Sequence, residues 1–473
     1  MKLLRFFTIA FLIALLVLLT RTTYAETTLT RLSRDPYTNT SSQHRTQVEP
    51  DSFAYGNTIV AAFQTGRFYD GGASNIGWAT SNDGGTTWTY GFLPNTTVYA
   101  GGTLPRISDP SVAYDAKHAV WIVNTLSVEN AGQAVYAHRS TDNGLTWSNP
   151  LLIDGPDDGY DKNWIACDNT ASSPYYGNCY AAWDDATNGG RIHVAVSNNG
   201  GLTWSLRVTS GTGGLGVQPI ALRNGTVVIP YLSFGGRIQT INSNDGGATW
   251  NTPITIALAF THNVAGELRT DALPSAEMDG GGKIYLVWQD CRFIKNCAAN
   301  DIVMTTSADG VTWSAVQRIP LDAKSAGVDH FIPGIAADPN TSGSAAHLAL
   351  AYYFYPNAAC TVTTCKLRVG FATSSNGGAT WSARITLTPR MKLKWLPDTT
   401  LGYMVGDYIS TSFVNGKAFP IFSFALEKIA RFRQAIYTPT GGMPMLANVN
   451  PVIAEPIETT QFDASKPRAT TRR

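Results

Sequence analysis

The chain of 473 residues repeats one short phrase, which first occurs at residues 81–88 as Ser-Asn-Asp-Gly-Gly-Thr-Thr-Trp. Further copies, one of them shortened, end at five more tryptophans, which are Trp147, Trp204, Trp250, Trp313 and Trp381. The residue types are typical of a tight hairpin: Asp or Asn bonds to its own backbone, Gly adopts positive φ, and Thr and Trp re-enter a strand. Six copies therefore predict a repeat protein built from hairpins.

The spacing of the copies gives the size of the repeated unit. The tryptophans that end successive copies, from Trp88 to Trp381, are 59, 57, 46, 63 and 68 residues apart. A four-stranded propeller blade takes about 40–50 residues, and a variable loop accounts for the remainder. No stretch shows sustained helical periodicity. The sequence therefore predicts an all-β protein, a β-propeller of four-stranded blades.

The phrase fits the pattern S-x-D-x-G-x-T-W, and through it the chain resembles the secreted, sialidase-like proteins with Asp-box repeats, also called bacterial neuraminidase repeats. The resemblance implies a β-propeller fold. It also implies that the repeats lie at the periphery of the blades, far from the axial site, and that non-enzymes carry them too. The repeat acids Asp83, Asp142 and Asp245 are therefore expected to form turns and not to catalyse.

The last module lacks both the phrase and a fourth strand. It begins at residues 407–413 and continues through residues 418–422 and 432–437. An N-terminal strand can complete such a blade and remove both sheet edges, and residues 27–33 alternate like a strand. Counting in this way favours seven blades. The six blades of the sialidases that the chain resembles are the alternative.

The two ends of the chain are expected to lie outside the propeller. Residues 1–25 combine a basic start, a short apolar run and a small-residue exit, which predicts a cleaved secretory signal; an uncleaved anchor is the alternative. Residues 26–442 are assigned to the propeller. Residues 443–473 are polar and contain several prolines, which predicts a disordered tail. The expected location is secreted or extracytoplasmic, with no membrane span after signal cleavage.

Composition and cysteine spacing limit the partners. A net charge of +1 and 15% charged residues provide no basic patch for nucleic acid. Short spacings in an exported chain favour local disulfides over the other connectivities that six cysteines allow. The favoured pairs are Cys167 with Cys179, Cys291 with Cys297, and Cys360 with Cys365. No zinc-site spacing is present, so neither a metal site nor a cofactor is predicted.

Charged residues occur where the innermost strands of a propeller would begin. Their side chains can converge on the axial funnel, although an ordinary interpretation as structural pairs stays open. The residues at these positions are Arg67, Arg106, Asp109, Asp161, Lys162, Glu267, Arg269, Asp271, Asp290, Arg292, Asp329, His330, Asp407 and Tyr408.

The resemblance to sialidases implies roles for part of this set. That family holds the substrate carboxylate with three arginines, uses a tyrosine paired to a glutamate as nucleophile, and uses an aspartate as acid/base. Carried over, it implies Tyr408 as the nucleophile, Glu267 as its partner and Asp109 as the acid/base. The implied substrate-binding residues are Arg67, Arg106, Arg269, Arg292, Asp290 and Asp407.

Three hypotheses of function follow from these patterns. The first is a secreted, sialidase-like propeller that acts on glycans, with hydrolysis of the exo-α-sialidase type as the specific activity. The alternative is a non-catalytic propeller that binds a glycan or a protein at the same funnel. Another polysaccharide-cleaving activity on this scaffold is a third possibility. The expected partner is a glycan or glycoconjugate, and the sequence makes no prediction of oligomeric state.

Overall fold

The computed structural model describes residues 27–129, 131–209 and 213–448. The predicted signal segment, residues 1–25, and residues 449–473 of the predicted tail lie outside these described residues. The prediction of an all-β protein is confirmed, because helices in the described residues are limited to short 3-10 turns. These turns are Val98–Ala100, Ala186–Asn188, Lys295–Cys297, Lys324–Ala326, Gly343–Ala345 and Leu393–Trp395.

The first half of the described chain forms one short strand followed by two sheets. The short strand is β1 (Leu29–Arg31). The strands of an eight-stranded sheet are β2 (Gln43–Tyr55), β3 (Thr58–Arg67), β4 (Ala73–Ser81), β5 (Thr89–Phe92), β6 (Arg106–Asp115), β7 (Val120–Val128), β8 (Gln133–Ser140) and β9 (Leu151–Asp157). A four-stranded sheet consists of β10 (Tyr160–Cys167), β11 (Cys179–Asp185), β12 (Arg191–Ser197) and β13 (Ser205–Val208).

The second half continues with sheets of four or five strands. The five-stranded sheet consists of β14 (Gly214–Leu215), β15 (Ile220–Ala221), β16 (Val227–Ser233), β17 (Arg237–Ser243) and β18 (Ile254–Leu258). Two four-stranded sheets consist of β19 (Ser275–Met278), β20 (Ile284–Asp290), β21 (Asp301–Ser307) and β22 (Gln317–Arg318), and of β23 (Asp329–Ala337), β24 (Leu348–Tyr355), β25 (Arg368–Ser374) and β26 (Ile385–Thr386). A ribbon of β27 (Asp398–Thr399) and β28 (Gly402–Tyr403) precedes β29 (Ser410–Val414), β30 (Lys417–Ala425) and β31 (Gln434–Pro439).

Seven strands of the described residues contact one another in a closed ring. Strand β2 contacts β6, β6 contacts β10, β10 contacts β15, and β15 contacts β19. The ring continues from β19 to β23 and β29, and β29 returns to β2. Within each sheet, paired strands run antiparallel. This arrangement is a β-propeller, with the strands of the ring lining the axis.

The division into blades is less regular than predicted. Five sheets stand alone as blades of four or five strands, and the extra strand arises because β14 and β15 both pair with β16. Strands β2 to β9 form a single sheet, because Ala73 of β4 pairs with Ile107 of β6. Seven separate blades of four strands each therefore stay a prediction.

The N-terminal strand closes the ring, as the sequence predicts. Strand β1 pairs antiparallel with β31, and Leu29 lies opposite Pro439. Beyond the strand, the Leu32 N–H donates to the Ile436 carbonyl at 2.8 Å. The Leu32 side chain is fully buried. The first and last ordered strands therefore share one sheet, which leaves no free edge at the closure point.

The repeated phrase forms a hydrogen-bonded turn. In its first copy the Ser81 hydroxyl donates to Asp83 at 2.8 Å and accepts from the Gly85 N–H at 2.8 Å. The Thr87 hydroxyl donates to Asp83 at 2.6 Å. Hydrogen bonds from Thr87, and one from Ser81, lower the pKa of Asp83 to about 2 because they stabilise the ionised carboxylate. The repeat acid is thus committed to the turn.

Disulfides and the tail add local order. The three neighbouring cysteine pairs are bonded, as their spacing favours: Cys167–Cys179, Cys291–Cys297 and Cys360–Cys365. The prediction that disorder begins at residue 443 is wrong for residues 443–448. Met443 is buried and exchanges backbone hydrogen bonds with Ala418, and the Leu446 N–H donates to Thr373 at 2.9 Å.

Among the described residues, no helix has the length and apolarity needed to span a membrane.

The closing segment generates a stability prediction. Leu32→Ala should lower the free energy of unfolding by about 2–5 kcal/mol, because it removes a fully buried side chain beside the closing strand. Leu202, which is 55% exposed, provides the control, and its replacement by Ala should change the value by less than about 0.5 kcal/mol. Urea unfolding measures both. Equal effects of the two substitutions would contradict the role of the closing segment.

The chain itself supplies the control for the turn. Asn199 replaces the repeat acid in one copy, accepting from the Thr203 N–H at 3.1 Å and donating to the Thr203 hydroxyl at 2.8 Å. Asp142→Asn should therefore nearly preserve Tm, whereas Asp142→Ala should lower it by several degrees. Differential scanning calorimetry of both variants tests this. A similar loss in Tm for both would show that the acid contributes more than hydrogen-bond geometry.

Candidate functional site

Bulges near the starts of the inner strands determine which side chains reach the axis. Strand pairing shifts register at Glu49 in β2, at Asp109 in β6 and at Lys162 in β10. These residues have φ values of 52°, 43° and 46°. Non-glycine residues rarely adopt this left-handed conformation, and at functional sites the surrounding structure holds them there. A bulge redirects a side chain, and here three ionisable groups are redirected.

These groups belong to a buried set of charges, which we call the axial cluster. It contains three cations and six carboxyl groups. Its members are Glu49, Arg67, Asp109, Asp161, Lys162, Asp184, Arg269, Asp271 and Asp407. Seven of the charged residues that the sequence places at strand starts lie in this cluster, and they are Arg67, Asp109, Asp161, Lys162, Arg269, Asp271 and Asp407. The Tyr408 phenol lies beside the cluster.

Asp407 lies at the centre of the ion pairs. Arg269 binds it through one edge of its guanidinium, with Nε donating to Oδ1 at 2.7 Å and Nη2 donating to Oδ2. The Lys162 Nζ lies 2.9 Å from Oδ2. Burial alone would raise the pKa of Asp407, but Arg269 and Lys162 outweigh burial and lower it. Asp407 is therefore ionised, and both of its carboxylate oxygens are bound by these cations.

Lys162 also joins two further carboxyl groups. Its Nζ lies 3.5 Å from Asp161 Oδ1 and 3.6 Å from Asp109 Oδ1. The Asp161 side chain is half exposed, whereas that of Asp109 is buried. Burial raises the pKa of Asp109, and Lys162 and Arg269 overcome burial to lower the pKa of Asp161. One lysine thus holds two carboxyl groups whose proton affinities differ.

Glu49 and Arg67 lie deeper. Burial, with the nearby charges of Asp109 and Asp407, raises the pKa of Glu49 well above its ordinary value. Gln64 donates to one Glu49 oxygen, and the Asp407 N–H donates to the other at 3.3 Å. Arg67 is 4% exposed, and its Nη1 donates to the Gly72 carbonyl at 3.0 Å. Glu49 was missed in the sequence, although the proline after it repeats at Asp109 and marks both bulges.

Tyr408 lies beside the cluster with its hydroxyl already bonded. That hydroxyl donates to the Pro110 carbonyl at 3.2 Å, and the ring meets Trp164 edge-on at 5.0 Å between centroids. Burial raises the pKa of Tyr408 well above its ordinary value, and the charges of Glu49 and Asp109 raise it further. The phenol is therefore protonated.

Glu267 is not among the carboxyl groups that act on Tyr408. Its side chain is exposed, and its backbone carbonyl accepts from the Tyr403 N–H at 2.9 Å. The carboxyl groups that act on Tyr408 belong to Glu49, Asp109, Asp51 and Asp407. Glu49 is therefore the glutamate whose charge raises the pKa of the tyrosine.

Two other nominated arginines form local pairs. Arg106 donates to Asp70 at 2.6 Å and lies over the Phe68 ring at 5.0 Å. Arg292 binds Asp290 through Nε and Nη2 at 2.9 and 2.7 Å. The ordinary interpretation as structural pairs therefore applies to Arg106, Asp290 and Arg292.

The expected arginine triad is replaced by a mixed set of cations. In the described residues the axial cluster holds two arginines, Arg67 and Arg269, and the third cation is Lys162. A lysine offers a point charge, whereas an arginine binds a carboxylate through two parallel hydrogen bonds. The cluster therefore differs chemically from the set that the resemblance implied.

A cavity of about 620 Å³ runs along the axis from the cluster. Lys162, Asp407 and Tyr408 line one end, and turns that include Asn57 and Asn415 line the other. Hydroxyl groups and two carboxyl groups line the wall between the ends, and these are Ser52, Ser410, Ser412, Asp51 and Glu277. Burial raises the pKa of Asp51 to about 7 and that of Glu277 to about 8. Below neutral pH the two carboxyl groups of the wall are therefore mainly protonated, and the charged groups Lys162 and Asp407 lie at the cluster end of the cavity.

One off-axis group combines three possible metal ligands. Among the described residues, ligand atoms of Asp301, Asp322 and His330 lie within 4.8 Å of one another. Arg318 Nε already donates to Asp301 at 2.6 Å, and Arg384 Nη1 donates to Asp322 at 3.1 Å. Two guanidinium groups in contact with the carboxylates favour a buried ion-pair network at this position.

No protein family model and no curated protein matches the chain. Among solved structures, a Dyadobacter fermentans protein of unknown function is 15% identical with a TM-score of 0.47, over 74% of this chain and 99% of that one. A Trypanosoma rangeli sialidase is 12% identical with a TM-score of 0.46, over 88% of this chain and 58% of that one. The Hadza microbial sialidase Hz136 is 16% identical with a TM-score of 0.43, over 74% and 66%. Similarity of this degree assigns no activity to the chain.

The raised pKa of Glu277 predicts a pH-dependent stability. Its folded-state pKa of about 8 exceeds the ordinary value of 4.5, so the folded state binds the proton more tightly and loses stability as pH rises through this window. The slope for one group is at most about 1.4 kcal/mol per pH unit. Glu277→Gln removes this loss, so its stability relative to the wild type should increase from pH 5 to pH 8.

Urea unfolding at the two pH values measures this difference. Glu427, which is exposed, provides a matched control, and Glu427→Gln should behave like the wild type at both. A constant difference between Glu277→Gln and the wild type would contradict the raised pKa.

Proposed function

We propose that this chain is a secreted, sialidase-like propeller that acts on glycans at the axial cluster as a glycoside hydrolase. The observation that carries the proposal is the pair of carboxyl groups on Lys162. Asp109 and Asp161 lie 3.6 and 3.5 Å from the same Nζ atom. Their oxygens are therefore no more than about 7 Å apart, an upper limit that is compatible with the separations of carboxyl pairs in glycosidases.

The environments of the two carboxyl groups suit different roles. A glycosidase needs one protonated carboxyl to donate to the leaving oxygen and one ionised carboxylate on the other side of the bond. Asp109 has the raised pKa and Asp161 the lowered one. Environments that push two pKa values apart are typical of acid/base pairs. In this proposal Asp109 is the acid and Asp161 activates water.

An atom with unused hydrogen-bonding capacity supports the role of Asp109. Its Oδ1 is buried and accepts no hydrogen bond among the described residues, and Lys162 Nζ lies 3.6 Å from it. Leaving such an atom without a partner costs free energy, and at a site it is ready to bond to a ligand. The glycosidic oxygen is a suitable partner for the protonated form.

A second candidate function is glycan binding without hydrolysis. It is favoured by the bonds that already occupy the cluster: Arg269 holds Asp407, and the Tyr408 hydroxyl donates to Pro110. The nucleophilic role that the resemblance implies for Tyr408 requires that its hydroxyl leave Pro110. The exo-α-sialidase activity requires in addition that an arginine fork become free.

We also propose how the eight-stranded sheet divides into blades. We infer that the eight-stranded sheet divides into two blades after β5, because only the pair Ala73–Ile107 joins its halves. The inner strands β2 and β6 both belong to the axial ring, so seven blades result.

The turns bonded through Ser81 and Asp83 support an assignment of the repeats as Asp-boxes. Three disulfides support export.

Turnover of aryl glycosides tests the hydrolase. Asp109→Asn and Asp161→Asn should each lower kcat by about 10²–10⁴, because each removes one arm of acid/base catalysis. Wild-type kcat/KM should be bell-shaped in pH, and Asp109→Asn should lose the alkaline limb. Tyr408→Phe should reduce kcat similarly only if the tyrosine is the nucleophile. Arg292→Ala, which alters an off-axis pair, should leave kcat unchanged.

Glycan-array binding by the same proteins separates the two candidates. Glycan binding without turnover, if substitutions in the axial cluster abolish that binding, would establish the non-catalytic function. Neither binding nor turnover across a broad array would contradict the proposal.

A further inference from the structure

We propose that the axial cluster recognises an uncharged glycan, and that Asp407 occupies the position where an acidic sugar would place its carboxylate. The inference rests on the proposed function, because it concerns the ligand of the same site. It departs from the acidic-sugar substrate that the sequence resemblance implied. Four observations support it.

The first observation is the bond between Arg269 and Asp407. A guanidinium binds a carboxylate best when two of its N–H groups meet both oxygens. Arg269 already uses Nε and Nη2 in this way on Asp407. Asp407 is 3% exposed, and Lys162 binds the same carboxylate at 2.9 Å. The protein thus supplies its own anion to its most suitable anion-binding group.

The second observation is the condition of Arg67. It is buried, and its Nη1 donates to the Gly72 carbonyl at 3.0 Å and to Gln64 at 3.4 Å, while Nε contacts the Met404 sulfur at 3.2 Å. These neutral partners use donor groups that a substrate carboxylate would need. A sialate would therefore have to displace protein contacts at both arginines of the cluster.

The third observation is the balance of charge. The cluster contains twice as many carboxyl groups as cations, and burial already raises the pKa of Glu49 and Asp184. An added anion would compete with these carboxyl groups for the same three cations. If it displaced Asp407 from Arg269, it would also leave that buried carboxylate without its arginine, which is strongly destabilising. An uncharged ligand meets neither obstacle.

The fourth observation is a set of buried oxygens with unused hydrogen-bonding capacity. Asp109 Oδ1, Asp184 Oδ1 and Asn163 Oδ1 accept no hydrogen bond among the described residues, and Lys162 Nζ lies 3.6 Å from the first of them. A sugar hydroxyl both donates and accepts, so it can bond to a carboxyl group in either protonation state and to the amide oxygen. A ligand carboxylate can only accept, and it would leave the amide oxygen and any ionised carboxyl unpaired. The unused hydrogen-bonding groups of the site therefore match the hydroxyl groups of a polyol.

A glycan array with matched sialylated and desialylated forms of the same glycans tests the inference. The wild-type protein should give at least tenfold stronger binding to the desialylated member of each pair. The array also includes glycans with free amino groups. Stronger binding to those than to their uncharged counterparts would overturn the assignment of an uncharged ligand, and so would stronger binding to the sialylated members.

A pair of matched variants tests the role of Asp407. Asp407→Asn removes the charge that occupies Arg269, so the variant should lose most of the preference against sialylated glycans. Asp290→Asn alters a two-bond Asp–Arg pair away from the axis, at Arg292, and should keep the wild-type preference. If Asp407→Asn does not fold, as judged by near-UV circular dichroism, the wild-type array alone decides.

The outcomes distinguish this inference from the proposed function. A preference for sialylated glycans would overturn the inference and leave the glycan function standing. A blank array would remove both. An Asp407→Asn variant that folds, binds glycans and keeps the full wild-type preference would contradict the role of Asp407.

Discussion

The ion pair between Arg269 and Asp407 is the interaction on which the axial site depends. It joins the loop before β19 to the loop before β29, and Lys162 of β10 binds the same carboxylate. Three separated parts of the chain therefore meet at one buried anion. Loss of either cation would leave this buried carboxylate with only one partner of opposite charge, which is destabilising. The cluster thus restrains the centre of the ring as well as forming its candidate site.

The ring supplies the geometry that such a cluster needs. Short antiparallel strands bring the start of each inner strand to one end of the axis, and bulges at Glu49, Asp109 and Lys162 aim charged side chains at the centre. Those residues accept an unfavourable backbone conformation, with φ between 43° and 52°. Strain of this kind persists only where surrounding contacts enforce it, and it is frequent at functional sites. The bulges therefore connect the fold to its chemistry.

The periodic features of the fold could be predicted from the sequence. The phrase at residues 81–88 predicts its hairpin because each residue type acts locally, through the bond from Ser81 to Asp83. Closure by residues 27–33 follows from a missing strand. The contact of Ala73 with Ile107, which merges two predicted blades, depends on how neighbouring sheets approach each other. No local pattern encodes that approach.

The structure brings together only part of the predicted site, and the reason is geometric. Position at a strand start selected Asp109, Arg269 and Asp407, which lie in the axial cluster. It also selected Arg292, whose neighbour Asp290 captures it two residues away.

Glu49 was missed for a related reason. A bulge of one residue reverses which side chain points inward. The bulges at Glu49 and Asp109 are marked in the sequence only by the proline that follows each.

A crystal structure after soaking with an uncharged oligosaccharide would show whether the axial cluster binds glycans. We expect sugar density at the axial cluster, with a hydroxyl within hydrogen-bond distance of Asp109 Oδ1 and the Arg269–Asp407 pair intact. Density only at the blade periphery, or a ligand carboxylate bound to Arg269 in place of Asp407 after soaking with an acidic sugar, would rule out this mode of recognition.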